Sequence, residues 1–242
     1  MNTFKLTYKP YGERAILIEW PSNIDEDILA DVLLFKENIN LDKVIVEVRA
    51  AYASLLVIYD NFIVDSDNEI SKLNSIYSSR ISSQQLQSRL WKIPVCYDET
   101  FGLDLDEISK EKGLTKQEII QLHSETIYTV YFIGFLPGFL YLGGLDESLH
   151  MPRKSSPRLQ LIKGAVAIVE NQTGVYPSSS PGGWNIIGNS PINFFDVTKD
   201  KPCFAKAGDK IQFRSISYKQ HSDLTVLVKK DVYQIESEEI YD

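Results

Sequence analysis

The chain has 242 residues, of which 43% are hydrophobic and 24% charged, with a formal net charge of -8; that is the composition of an ordinary globular protein with room for one large domain or two small ones. The charge is spread evenly, with 9 basic and 13 acidic side chains in residues 1–90 and 16 and 20 in residues 91–242, so neither half is a basic nucleic-acid module. Two cysteines, Cys96 and Cys203, without a CxxC pair, and three scattered histidines exclude a disulfide framework and a Cys/His zinc site, and no protein-bound metal is expected. The opening MNTFKLTYKP lacks the basic start and apolar run of a signal peptide, and no apolar stretch approaches the roughly 18 residues of a membrane span, so a cytoplasmic protein is expected.

Residues 1–90 read as an α/β domain. Ala15 to Trp20 is a strand after the Tyr11-Gly12 turn. Asp25 is placed to cap a helix in which Ile28, Leu29, Val32, Leu33 and Phe35 recur at helical spacing. Val44 to Val48 and Ser54 to Tyr59 are β-branched runs joined by a short, hairpin-like link. Ile70, Leu73, Ile76 and Tyr77 then lie on one helical face, and the Ser/Gln-rich stretch from Ser82 to Ser88 marks a domain end. The order β-α-β-β-α, closed by Trp91 to Val95, suits a ferredoxin-like split βαβ sandwich.

Residues 91–242 change in texture. A helical insert is expected near 104–126, because Asp104 with Glu107 and Thr115 with Glu118 both have capping-box spacing and Gly113 separates the pairs. A DNA-binding helix-turn-helix is disfavoured there, since the second helix sets Lys116 alone against Glu118 and Glu125. Short apolar strands cut by Gly and Pro follow, at Thr129 to Ile133, Ala165 to Val169, Ile186-Ile187, Lys210 to Arg214 and Leu224 to Val228. That is an all-β pattern.

The chemistry is concentrated between Gly134 and Pro191, where 58 residues hold nine of the thirteen glycines and six of the ten prolines. Glycine admits positive φ and proline fixes φ, so such a stretch specifies loop shapes, the usual seat of sites on a β scaffold. The run from Gly134 to Gly144, with Phe135 near its start, is either the wall of an apolar pocket or a core strand. His150, Arg153, Lys154 and Arg158 gather an imidazole and three cations within nine residues spaced by prolines, an arrangement suited to carboxylate or phosphate oxygens. Gln172, Tyr176, Ser180 and Trp184 supply an amide, a phenol, a hydroxyl and an indole, groups able to satisfy the N–H and C=O of a small lactam and cover its apolar face. There is no GxxxxGK[ST] loop, strand-to-helix GxGxxG, HExxH or GxSxG elbow.

GFLPGFLYLGGL, LHMPRKSSPR, GAVAIVENQTGVYPSSSPGGW and IIGNSP, together with YGERAILIEW, VEVRAAYASLLVIYD and KIPVCYDETFGLDLDEIS, resemble the signature of the family of 5-oxoprolinase B subunits, also called kinase A inhibitor-like or allophanate hydrolase subunit 1. The resemblance spans nearly the whole chain and implies an α+β protein: a small ferredoxin-like α/β domain, 1–90, then a cyclophilin-like β-barrel, 91–242. It further implies the role of B subunit in a complex that converts 5-oxo-L-proline, ATP and water to L-glutamate, ADP and phosphate, with ATP and its magnesium as co-substrate and the C and A subunits of 5-oxoprolinase as partners. His150, Arg153 and Arg158 are then the expected catalytic residues, and Phe135, Gln172, Tyr176, Ser180 and Trp184 the expected substrate-binding ones. Two positions depart from the family pattern: Asn189 stands where an arginine is common, and LIKGAV at 161–166 replaces a VPAGSV-like turn. Inhibition of a sensor histidine kinase, or service as a carboxyltransferase component of allophanate or urea metabolism, are the alternatives the same resemblance offers.

Overall fold

A computed structural model describes residues 4–41, 43–80 and 87–241, with backbone only for Gln87 and Tyr241. The chain divides into two compact units, Met1–Leu86 and Gln87–Asp242. Among the described residues no helix is long and apolar enough to cross a membrane.

The first unit is a four-stranded antiparallel sheet with two helices. In chain order it runs β1 (Thr7–Pro10), β2 (Ala15–Glu19), α1 (Glu26–Asn38), β3 (Ile45–Ala51), β4 (Ser54–Tyr59) and α2 (Ser66–Ser79), and the sheet order is β1-β2-β4-β3. Asp25 caps α1 by accepting from the backbone N–H of Asp27 and Ile28, at 2.8 and 3.1 Å. The α1 stripe Ile28, Val32 and Phe35 packs with Leu73 and Tyr77 of α2 over Ile16, Ile18, Leu55 and Val57, the periodic residues of the sequence closing one core. Asp31 is the polar group inside it. Its carboxylate accepts from Trp20 Nε1 (2.8 Å), Tyr77 Oη (2.7 Å) and Arg80 Nη2 (2.7 Å), and Arg80 lies 3.6 Å over the Tyr77 ring. Trp91 to Val95 does not close this sheet: the edge beside β2 is taken by β1, a short strand that no β-branched run announces. The Ser/Gln-rich stretch expected to end the domain lies outside the described residues from 82 to 86.

The second unit begins with β5 (Gln87–Val95) and continues through α3 (Leu105–Lys112), α4 (Lys116–Glu125), β6 (Ile127–Ile133) and β7 (Leu140–Gly143). After a 3₁₀ turn at Glu147–Leu149 come β8 (Arg158–Leu161), β9 (Ala165–Val169), β10 (Gln172–Val175), β11 (Ser180–Gly182), β12 (Asn185–Asn189), β13 (Lys210–Ser215), α5 (Tyr218–Lys229) and β14 (Glu236–Tyr241). Eight strands form one sheet in the order β12-β9-β10-β7-β6-β13-β5-β14, and β11 pairs with β8 apart from it. The expected barrel does not close. β5 already carries β13 in parallel on one side and β14 antiparallel on the other, so both its hydrogen-bonding edges are filled. The far strand β12 meets only the residue just past it, where Cys96 and Asn189 exchange backbone bonds of 2.8 and 2.9 Å.

Two further expectations change. Leu224 to Val228 is not a strand but part of α5, because Ser217 and Gln220 form a capping box seven residues before that β-branched run and commit it to helix. Thr115 and Glu118 do form a capping box on α4, whereas Asp104 makes no side-chain cap on α3, its carboxylate being engaged elsewhere. Between the two helices Gly113 is left-handed, at φ 66°.

His123 of α4 is fully buried against β13, its ring 4.7 Å from that of Phe213. Thr173 Oγ1 donates to the Ala167 carbonyl (3.0 Å) and therefore accepts from His123 Nε2 (2.8 Å), which leaves Nδ1 to accept from the Tyr97 hydroxyl (2.7 Å). Burial holds this neutral ring's pKa down from 6.5 to about 3. The unfolded chain thus binds a proton that the folded one refuses as pH falls from 6.5 to about 3. Stability is expected to drop across that window by up to about 1.4 kcal/mol per pH unit from this group, measurable by urea unfolding at several pH values, while NMR should show the His123 ring still neutral at about pH 5. In the first unit, Asp31→Ala removes the carboxylate paired with the Arg80 side chain and should cost about 3 kcal/mol, read from the same unfolding curves.

Candidate functional site

The Gly/Pro-rich segment folds into two adjoining structures, an aromatic cluster and a clamped cationic loop. The β6–β7 connection turns through Phe135 and Gly138, at φ 64° and 84°. A Cβ at Gly138 would lie 2.7 Å from the Phe194 carbonyl oxygen, so glycine is required there on two counts. The turn delivers Phe139 into a cluster with Tyr176 and Trp184, at ring-centroid distances of 5.2 and 5.4 Å, and Tyr141 packs against Phe139 at 4.7 Å. Of the two readings of this run, the core strand is what β7 provides: Phe139, Leu140 and Leu142 are buried. Trp184, expected to cover a ligand, is 7% exposed and is chiefly part of this packing, whereas Phe135 is 65% exposed beside Phe139.

The cationic loop is organised by a residue whose spacing in the sequence suggests only a helix cap. Asp104, 2% exposed, accepts a bidentate fork from Arg158, Nη1 to Oδ2 at 2.9 Å and Nη2 to Oδ1 at 2.7 Å. It also accepts from Lys154 Nζ at 2.9 Å and from the Ile186 backbone N–H at 2.6 Å. Lys154 reaches on to Glu107 at 2.5 Å. Burial raises the Asp104 pKa, but the Arg158, Ile186 and Lys154 hydrogen bonds outweigh it and hold the carboxyl below its ordinary range. Two of the three loop cations are therefore neutralised within the fold.

Arg153 is different. It is exposed, and it has no ion-pair or hydrogen-bond partner among the described residues. Its Nε would lie 3.0 Å from a Cβ at Gly183, so the absence of a side chain there gives the guanidinium its room. Burial raises the pKa of both Tyr141 and Tyr176, and the Arg153 charge works against that rise at each. The structure thus sets an available guanidinium beside the phenols of the aromatic cluster.

The remaining expected residues are more dispersed. His150 donates Nε2 to the Leu145 carbonyl at 3.1 Å and lies near Asp146, neither of which belongs to the cluster. Gln172 opens β10 opposite Gly143 and Val169. The Ser180 hydroxyl turns to the Pro181 carbonyl at 3.2 Å. Tyr176 is buried, with the Trp184 backbone hydrogen-bonded to its phenol oxygen.

The profile of the family described as carboxyltransferase domain, subdomain C and D, matches residues 6–205. The chain belongs to that family. It is 38% identical over 204 residues to a Haemophilus influenzae protein named as the B subunit of 5-oxoprolinase, covering 84% of this chain and 95% of that one. A Bacillus subtilis protein of the same name is 33% identical over 238 residues, covering 90% and 96%. Among solved structures, a conserved uncharacterized protein from Pyrococcus horikoshii is 37% identical with a TM-score of 0.53 over 89% of this chain and 100% of that one. The Kluyveromyces lactis urea carboxylase shares the fold, with a TM-score of 0.83 and 18% identity over 98% of this chain and 24% of that one.

Asn189, where a departure from the family pattern was expected, is 4% exposed and hydrogen-bonded at both ends of its amide. Its Nδ2 donates to the Lys163 carbonyl at 2.9 Å, and its Oδ1 accepts from His221 Nε2 at 2.8 Å. Lys163 turns its ammonium to Asn193, so it does not restore a charge beside Asn189. The residue that sequence reasoning missed is Asp104, whose spacing to Glu107 mimicked a capping box; Phe139 and Tyr141 lie in the Gly134 to Gly144 run that the sequence left open between pocket wall and core strand.

The two arginines should now separate in experiment. Arg158→Ala leaves Asp104 short of its bidentate partner and is expected to lower stability by about 2 kcal/mol, whereas Arg153→Ala should stay within about 0.5 kcal/mol of the parent. Denaturant unfolding of the two variants side by side checks this.

Proposed function

We propose that this chain is the B subunit of an ATP-dependent 5-oxoprolinase and works with the C and A subunits of that enzyme. The proposal rests on its likeness to proteins named as 5-oxoprolinase B subunits along nearly their whole length and on the available Arg153 guanidinium beside Tyr141 and Tyr176.

A five-membered lactam is a stable amide, and its hydrolysis has to be coupled to ATP. Transfer of the γ-phosphoryl group to the lactam carbonyl oxygen would leave ADP and create an electrophilic carbon that water can attack, releasing phosphate and opening the ring to glutamate. What this chain contributes is electrostatic. Arg153 can hold the substrate carboxylate or a phosphoryl oxygen through its planar fork, and charge developing on oxygen during transfer is stabilised best by a donor already fixed in place. ATP, with magnesium on its phosphates, enters as co-substrate. His150 donates its Nε2 proton to a backbone carbonyl, which leaves Nδ1 as the nitrogen through which it would assist proton movement.

A carboxyltransferase component remains the second reading, because the family profile carries that description and the urea carboxylase shares the fold. The deciding measurement mixes the chain with candidate C and A subunits and follows ADP and glutamate formation from 5-oxo-L-proline, omitting one component at a time. Activity that needs every component, and falls at least about a hundredfold with Arg153→Ala, is the expected result. A verified, folded complex that is inactive on 5-oxo-L-proline turns the assignment toward carboxyl transfer.

A further inference from the structure

We infer that Asp104 is a positioning residue for Arg153, an inference that rests on the assignment of Arg153 to anion binding. Arg153 sits between two clamps. On its N-terminal side the Met151 carbonyl accepts from the Glu170 N–H at 2.5 Å, and the Pro152 carbonyl accepts from Asn185 Nδ2 at 2.9 Å. On its C-terminal side the Lys154 N–H donates to the Gly183 carbonyl at 2.8 Å, and the Lys154 side chain is drawn to Asp104 and Glu107.

Asp104 and Glu107 draw the Lys154 side chain to themselves, while the Arg153 side chain just before it lies against Gly183, so fixing Lys154 helps to fix the backbone from which Arg153 reaches Gly183 and the phenols. Asp104 also fixes where the loop ends, since Arg158 opens β8 and its fork closes on the same carboxylate. The carboxylate is itself held: Asp104 exchanges hydrogen bonds with Ile186 of β12, receiving the Ile186 N–H at 2.6 Å and donating its own N–H to the Ile186 carbonyl at 2.9 Å. One buried anion therefore ties the start of α3, β12 and the C-terminal flank of Arg153 together. It also withholds Lys154 and Arg158 from the ligand, so that an incoming carboxylate or phosphoryl group meets a single directed guanidinium and not three competing cations.

A residue that only stabilises the fold would act independently of Arg153, whereas a positioning residue acts through it. The reconstituted complex should be assayed with Asp104→Asn, Arg153→Ala and the double variant, recording KM for 5-oxo-L-proline and kcat separately, alongside the melting temperature of each. Asp104→Asn keeps an acceptor for the Ile186 N–H while discharging the clamp. It is expected to lower kcat/KM at least about tenfold, and to have little further effect when Arg153 is already alanine. If the Asn variant does not fold, Arg158→Gln serves instead, because it opens the clamp while Lys154 and Ile186 still satisfy Asp104; it should show the same non-additivity. Effects of Asp104→Asn or Arg158→Gln that multiply with that of Arg153→Ala, or full activity in both clamp variants, would overturn the inference and leave the role of Arg153 standing. Full activity of Arg153→Ala would remove both.

Discussion

A buried carboxylate must find partners or give up its charge, and in the second unit that requirement organises the loop on which the function is proposed to rest. Asp104 resolves it with one bidentate arginine, one lysine and one backbone N–H. Those partners come from a proline-spaced loop and from the strand beside it, so satisfying one side chain brings together segments as much as 82 residues apart along the chain. The loop's internal charge balance is settled in the same event. Arg158 and Lys154 belong to the fold, and Arg153, just before them, is left available.

The same logic of limited partners governs the sheet. A strand has two hydrogen-bonding edges, and β5 gives both to β13 and β14. The backbone of β12 then bridges to Cys96, just beyond the strand's end, and the eight strands remain an open, mixed ladder. Asn189, the β12 residue of that bridge, is occupied in addition by Lys163 and His221. An amide of this size can satisfy a carbonyl and an imidazole at once, so Asn189 joins β12 to α5 and to the turn before β9.

The two units manage interior polarity in different ways. Asp31 is paired with Arg80 and accepts from two aromatic donors, whereas His123 is kept neutral by burial between Tyr97 and Thr173. Both groups sit where helix meets sheet, and both draw hydrogen bonds from residues distant in sequence. Such networks are favourable only when every member is satisfied, which is why they specify how each helix lies on its strands as well as how firmly it is held.

What the sequence determined by itself was whatever depends on neighbours close along the chain. Periodicity placed α1 and α2 and their buried stripes; Asp25, Thr115 and Gly113 marked helix ends; β-branched runs located β3 and β4, and short apolar runs β9 and β13; the density of Gly and Pro pointed to the segment from 134 to 191; and the ordered motifs carried the family. Local rules misled where a longer-range partner overrode them. Asp104 had the spacing of a cap but went to Arg158, and Trp91 to Val95 was a strand assigned to the wrong sheet. Leu224 to Val228 failed for a local reason, since a capping box upstream outweighed its β-branching. Only the tertiary structure decided which of three neighbouring cations stays free, because that depends on a carboxylate 54 residues from Arg158, and hydrogen-bonding capacity is allotted in space and not along the chain.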